Sequence, residues 1–323
     1  MTNAETGRWS LMDEFPKLKD PWLVAVWPGM GSVAMAAGYY LMAKLGMRLL
    51  DELPARELFD PDHVEVKDGR IQVKPLPRSR LFIWRDPRQR HDLIVFIGEA
   101  QPTAKSGLIC RQLIDRMIPL GVRNVFTFAA MATSMKPGDE SRVFGAAIDD
   151  ATLESFRQLD VQLLETGRIS GLNGALLGVA AESGMGGGCL LGEMPQMFAQ
   201  VPFPTASHAV LEFFTTMAGI SLDLAELEGH GRQVEKQLGD FLQRIEKAIR
   251  ESEVPGELPL SDEVLSEEKA TRPGPADRQR IEHLFAEAKQ NRSKAYLLKQ
   301  ELDRLHAFAE YEDRFLDLFK GNN

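Results

Sequence analysis

The segment Trp22-Leu23-Val24-Ala25-Val26-Trp27 is an unbroken apolar run of strand length stopped by Pro28-Gly29, the pattern of a strand buried on both faces. After that turn, apolar residues recur at helical spacing over 33–45 among good helix formers. Gly46 closes the helix, and a second strand begins at Met47-Arg48-Leu49-Leu50. Over 64–73 the period drops to two on either side of Asp68-Gly69, a dipeptide that predicts a tight type I′ hairpin. Strand and helix then alternate again. Strands are predicted over 93–97, 124–128, 142–148, 162–164 and 189–191, with helices over 106–119, 151–159, 172–183 and 206–218. Glycines 184, 186, 187 and 188 predict a turn before the last strand, where missing side chains permit positive φ and close backbone approach. Such alternation predicts an α/β fold with the sheet sandwiched by helices.

Farther on, the period becomes purely helical. Leu227, Val234, Leu238, Phe241, Leu242, Ile245 and Ile249 form one apolar stripe flanked by charges, an amphipathic helix over 224–249. Residues 254–275 are rich in proline and acidic side chains without a sustained apolar period, so they predict a linker. From 276 onward Ile281, Leu284, Phe285, Ala288, Leu297, Leu298, Leu302, Leu305, Phe308, Phe315 and Leu318 recur every three or four residues. This predicts a long helix broken near Asn291-Arg292-Ser293. Propensity alone stabilises such a helix little, so its stripe packs on the core, on the preceding helix or on another subunit as a coiled coil, with packing inside the chain expected. The predicted organisation is an N-terminal segment over 1–19, an α/β core over 20–253 that includes the helix over 224–250, a linker over 254–275 and a helical extension over 276–323.

Composition narrows the class without naming a function. The 323 residues, 44% hydrophobic and 26% charged, bury a sizeable core and exclude collagen-like, low-complexity and disulfide-scaffold chains. A net charge of −9 opposes general attraction to nucleic acid or anionic membrane, and neither is an expected partner. Cys110 and Cys189 lie in apolar sequence without a CxxC or Cys/His cluster, which reads as two small buried side chains and no disulfide. The start has no basic segment followed by an apolar run, and no later stretch reaches about 18 uninterrupted apolar residues. A cytoplasmic protein is expected. The histidines at 63, 91, 208, 230, 283 and 306 show no tight ligand spacing, so neither a metal nor a cofactor is predicted.

Among local motifs, Gly29-Met30-Gly31-Ser32-Val33-Ala34 fits G-x-G-x-x-A between a buried strand and a helix. In a dinucleotide-binding unit these small residues admit a pyrophosphate to the helix N-terminus, and Asp51, about 20 residues beyond Gly31, would hold a ribose. Against that reading, a hairpin follows the second strand where a helix is required. Pure turn geometry or an anion- or partner-binding loop are the other readings. Glu99 and Gln101 follow a strand that ends at Gly98, where ligand pockets form. Ser170-Gly171-Leu172-Asn173-Gly174 opens a helix, which Ser170 and Asn173 either cap or leave for a ligand. Glu193 again follows a strand, so Glu99 and Glu193 are a conceivable acid/base pair. Ser32 is not in G-x-S-x-G, which leaves no nucleophile elbow. The binding candidates are Gly29, Gly31, Ser32, Glu99, Gln101, Ser170, Gly171, Asn173 and Glu193, and no residue is assigned as catalytic.

Taken together, Trp27-Pro28-Gly29-Met30-Gly31-Ser32-Val33-Ala34, Gly98-Glu99-Ala100-Gln101-Pro102, Ile169-Ser170-Gly171-Leu172-Asn173-Gly174-Ala175-Leu176-Leu177 and Gly192-Glu193-Met194-Pro195 resemble the motifs of the PAC2 (proteasome assembly chaperone) family in family order, over roughly 20–250. The resemblance implies a three-layer α/β/α sandwich with a mixed sheet, similar to phosphorylase/hydrolase-like folds, and commonly a homo-oligomer. It also implies a non-catalytic role in protein binding or assembly, with a protein partner it does not identify. The alternative is a nucleotide- or anion-binding enzyme, ATP-grasp-like or Rossmann-like, using the loop over 29–31. Archaeal proteasome-binding relatives can carry a terminal hydrophobic-Tyr-any motif, whereas this chain ends Phe319-Lys320-Gly321-Asn322-Asn323. Proteasome docking through the tail is therefore not expected.

Overall fold

The run from Trp22 folds as strand β1 (Trp22–Val26), and its alternate side chains divide between two cores. Val24 and Val26 enter one, Leu23 and Ala25 the other. The computed structural model describes residues 17–54, 59, 64–67, 69–72, 76–102, 106–251 and 273–320. After β1 come α1 (Val33–Lys44), β2 (Arg48–Leu53), β3 (Glu65–Lys67), β4 (Arg70–Gln72), β5 (Ser79–Trp84), β6 (Leu93–Gly98), α2 (Ser106–Met117), β7 (Asn124–Thr133) and β8 (Val143–Ala147). These are followed by α3 (Asp150–Gln158), β9 (Gln162–Leu163), α4 (Gly171–Glu182), β10 (Gly186–Pro195), α5 (Pro204–Ala218) and α6 (Ala225–Glu251). The extension holds α7 (Pro275–Gln290), α8 (Ala295–Arg304) and α9 (Phe308–Asp317).

Eight strands form one mixed sheet in the order β2-β5-β6-β1-β7-β10-β8-β9, and β3 and β4 pair as a separate hairpin. The central four, β6, β1, β7 and β10, are parallel. Strand β5 runs antiparallel to β6, β2 to β5 and β8 to β10. Helices α1 and α5 cover one face, joined to Val24, Val95 and Phe126. Helices α2 and α4 cover the other, joined to Leu23, Ile94 and Val125. The fold is thus a three-layer α/β/α sandwich with a mixed sheet. Among the described residues no helix is long and apolar enough to cross a membrane.

The extension packs on its own chain. Ile281, Phe285, Leu298, Leu302, Phe315 and Phe319 are each at most 1% exposed and share the core of α1 and α5; each such burial contributes about 1.5–3 kcal/mol relative to an exposed side chain. The Tyr39 ring of α1 lies 5.3 Å from Phe308 and 5.8 Å from Phe315, and Tyr40 lies 4.6 Å from Tyr296. The Leu49 N–H of β2 donates to the Phe319 carbonyl at 2.9 Å.

Several details correct the pattern reading. The predicted long helix breaks at Asn291 as expected and a second time before α9, where His306 has φ 50°. Strand β5, absent from the pattern reading, inserts between β2 and β6. Gly186, Gly187 and Gly188 are not a turn but the first residues of β10. A Cβ on Gly187 would sit 2.1 Å from the Val125 carbonyl oxygen and one on Gly188 2.4 Å from that of Ala146. Glycine is needed there for strand spacing and, at Gly187, for a φ of 114°. Of the sequence expectations, the segment over 1–16, the hairpin residue Asp68, all but the last residues of the linker over 254–275, and the terminal Gly321, Asn322 and Asn323 lie outside the described residues.

Candidate functional site

Because β6, β1, β7 and β10 are parallel, the loops that leave their carboxyl ends share one edge of the sheet, where α/β proteins place ligands. Helix α1 leaves β1 toward one face and α2 leaves β6 toward the other, so a crevice begins between those two strands. All nine candidates fall on or near this edge, but they do not form one site.

The turn after β1 is built by Gly31. Its φ is 58°, and a Cβ would lie 2.6 Å from the Met194 sulfur, so both conformation and space demand glycine. Gly29 is extended, with φ −167°, and a Cβ placed on it would meet only open space. The Gly31 N–H donates to the Ala199 carbonyl at 2.8 Å, its carbonyl accepts from the Phe203 N–H at 2.9 Å, and the Ser32 N–H donates to Gly29 at 3.1 Å. Two amides that a phosphate loop would present are therefore committed internally. Ser32 is exposed and its hydroxyl caps nothing. The dinucleotide reading fails on topology as well: in that fold the second strand lies beside the first, whereas β5 and β6 separate β2 from β1. Asp51 accepts from the Glu52 N–H at 2.8 Å and faces Arg116 at 3.7 Å, far from any ribose position.

Gln101 bridges the crevice. Its Nε2 donates to the Pro28 carbonyl at 2.7 Å, and its Oε1 would lie 2.8 Å from a Cβ on Gly171, whose φ is 67°. Asn173 Nδ2 donates to the Phe128 carbonyl at 3.1 Å, while its buried Oδ1 has no partner among the described residues. Ser170 holds the N-cap position of α4 without making the expected cap bond. Gly29, Gln101, Ser170, Gly171 and Asn173 thus converge over β1, β6 and β7.

Glu99 and Glu193 stand apart. Three inter-strand spacings separate β6 from β10, which puts their backbones roughly 14 Å apart, and their side chains enter different networks. Glu99 accepts from the Arg78 N–H at 2.7 Å and from Arg80 at 2.9 Å. Burial, reinforced by Glu312 and opposed by the Arg78 amide and Arg80, pushes its carboxyl up to about 7. Arg80, 1% exposed, also donates to Glu52 at 3.2 Å and Asp313 at 2.7 Å, so this network fastens α9 to β5 and β6. Glu193 accepts from Arg142 at 2.6 and 2.7 Å and from Thr133 at 2.7 Å. Those Arg142 hydrogen bonds hold its carboxyl below the usual range. The conceived acid/base pair is two separate structural clusters.

Sequence reasoning missed the partners Arg78, Arg80 and Arg142, and also an apolar patch. Met30, Met197 and Val201 are 43%, 65% and 37% exposed on the two segments that the Gly31 hydrogen bonds hold together. Their sequence signal was apolar residues inside turns next to the glycine motif. Among the described residues no three His, Cys, Asp or Glu side chains cluster as a metal site.

The family model described as the PAC2 family matches residues 23–242. The uncharacterized protein MJ1210 of Methanocaldococcus jannaschii is 26% identical over 233 residues, 71% of this chain and 84% of that protein. Among solved structures, Pyrococcus furiosus PbaB, an archaeal proteasome activator, superposes with a TM-score of 0.59 at 24% identity, covering 71% of this chain and 96% of that one. The Mycobacterium tuberculosis proteasome-assembly chaperone homologue Rv2125 superposes with a TM-score of 0.58 at 21% identity, covering 68% and 94%.

Proposed function

This chain belongs to the PAC2 family, and on that premise we propose that it is a non-catalytic protein-binding factor, an assembly chaperone or scaffold that works in the cytoplasm as a homo-oligomer. The observation that carries this reading is the state of the carboxyl edge. The Gly31 and Ser32 amides and the Gln101 side-chain amide are engaged internally, and what the edge offers outward includes the exposed apolar side chains of Met30, Met197 and Val201. Methionine-rich surfaces adapt to protein partners, and exposed apolar residues rimmed by polar ones are the usual form of a protein-binding surface. The solved relatives named as a proteasome activator and a proteasome-assembly chaperone homologue support the partner class. They do not identify the partner, so proteasome core particle is one named arm of the test.

The core over 20–253 and the extension over 276–323 act in this reading as one unit. The enzyme alternative is disfavoured by the engaged amides at Gly31 and Ser32 and by the separation of Glu99 from Glu193. The test is capture from native lysate, read by mass spectrometry, and from purified proteasome core particle, using the wild-type chain and a Met30→Glu/Met197→Glu variant. One partner retained by the wild type and lost by the folded variant is the expected result. Equal capture by both, or ATP hydrolysis that disappears in a folded Gly31→Ala variant, overturns the reading.

A further inference from the structure

At the amino edge of the parallel strands, opposite the loops just described, a cavity of about 740 Å³ opens where β2 meets the extension. Its lining includes Arg48, Lys289, Arg292, Arg314, Lys320 and Asp317. Five cations and one carboxylate thus gather in a chain whose net charge is −9. The single acid is committed to Lys320 at 2.5 Å, and Arg314 is held by Glu282. Among the described residues Arg48, Lys289 and Arg292 have no carboxylate at ion-pair distance; Arg292 donates to the Lys320 carbonyl at 3.3 Å. The carboxyl ends of α7 and α9 point negative partial charge this way, about half a charge each, too little to balance the lining. Among the described residues the lining therefore carries more positive than negative charge, with Lys289 also facing the field of Glu282.

We propose that this cavity binds a small soluble ligand carrying two or more phosphate groups and thereby clamps the extension to the core. The volume is in the range of small-molecule sites, and guanidinium forks match phosphate oxygens in pairs. Arg48 comes from the stretch that matches the family, whereas Lys289, Arg292, Arg314 and Lys320 lie beyond residue 242. One polyanion touching both sets crosses the seam already marked by the hydrogen bond from Leu49 to Phe319. Among the described residues the lining holds no histidine, cysteine, serine or uncommitted carboxylate, and in this proposal the ligand is held and not transformed.

The test uses the full chain with inorganic tripolyphosphate and with ATP, without divalent metal, by calorimetry and thermal melting at low and at physiological ionic strength. Both probes bind and raise the melting temperature, more weakly as salt is added. Each of Arg48→Ala, Lys289→Ala and Arg292→Ala lowers affinity by about tenfold, the loss of a charge-assisted contact. Arg48→Ala does not lower the melting temperature of the free chain, because it relieves like-charge repulsion, whereas Arg292→Ala also gives up the hydrogen bond to the Lys320 carbonyl. Arg111→Ala on α2, whose Arg111 pairs with Glu182, leaves affinity unchanged. Equal affinity for the two probes assigns recognition to the phosphate chain, and tighter ATP binding adds the nucleoside; either supports the site. Absence of binding by the wild type at low ionic strength, or undiminished binding by Arg48→Ala/Arg292→Ala, overturns it.

Discussion

Replacing Glu99 by glutamine tests whether the buried charge network at the α9 contact has the electrostatics its geometry implies. The Glu99 side chain is 15% exposed, and burial raises its carboxyl from 4.5 to about 7 although Arg80 lies against it. Below the ordinary value the group is protonated in folded and unfolded chain alike. Between 4.5 and about 7 the folded chain keeps a proton that the unfolded chain has released, so stability falls as pH rises through this window and is fully lost from this source above it. At ~1.4 kcal/mol per pH unit the whole interval amounts to about 3 kcal/mol. Glu99→Gln is neutral at every pH, so it lacks this loss. Its stability relative to the wild type therefore increases on going from about pH 5 to about pH 8, by up to that amount. Glu312, also raised by burial, titrates in both proteins and largely cancels in the difference. Urea unfolding of the two proteins across the window measures it. A difference that stays constant, or that shrinks as pH rises, refutes the assignment of a raised carboxyl at Glu99.

Three further expectations follow from packing. Gly31→Ala must take a φ of 58° and push the Met194 sulfur from 2.6 Å, a cost of about 1–3 kcal/mol, whereas Gly29→Ala meets nothing and is tolerated; equal melting temperatures for the two variants would contradict the turn geometry. Phe315→Ala removes a fully buried ring set 5.8, 5.5 and 5.7 Å from Tyr39, Phe308 and Phe319 and lowers unfolding free energy by about 3–5 kcal/mol, with proteolysis of the extension as the second readout. Burial pushes the Cys110 and Cys189 thiols up to about 12, so both resist a thiol-specific disulfide reagent at neutral pH until the chain unfolds; rapid labelling of either in the native protein contradicts their placement.

What the sequence disclosed and what it hid divide along a physical line. Local pattern was legible: the unbroken apolar run of β1 is buried on both faces, between the two cores, and most helices ended within a few residues of their pattern. Strand β5 was missed because its apolar run is only Leu81-Phe82-Ile83-Trp84, flanked by Arg80, a buried cation balanced by three carboxylates from distant segments, and by Arg85. The glycines of β10 were misread because turn and close strand approach make the same demand for a missing side chain. At the candidate site, the motifs all fall on or near one edge of the sheet, and the contact of Gln101 with the turn after β1 was not legible in their spacing. The partners of Glu99 and Glu193 were invisible because residue spacing carries no information on which guanidinium reaches a carboxylate. The basic cavity draws its side chains from residue 48 to residue 320, a convergence produced by three helix ends and one strand.

The placement of the extension also changes the argument for self-association. The sequence left open that the apolar stripe beyond residue 276 packs on another subunit, and apolar surface in excess of one core is a reason to expect one. Helix α1 resolves the surplus, since it buries residues around most of its circumference and a helix apolar on all sides needs cover beyond the sheet. That cover is α7, α8 and α9, whose stripe is spent on Tyr39, Tyr40 and their neighbours. The extension is therefore a fourth, partial layer belonging to this chain, and its stripe no longer argues for a partner copy. An oligomer has to be built from surfaces the extension leaves open, and the carboxyl edge with Met30, Met197 and Val201 is one of them. If the proposed partner occupies that patch, the proposed homo-oligomer has to be built from other surfaces that the extension leaves open; loss of self-association in the Met30→Glu/Met197→Glu variant, read by light scattering, would refute that division.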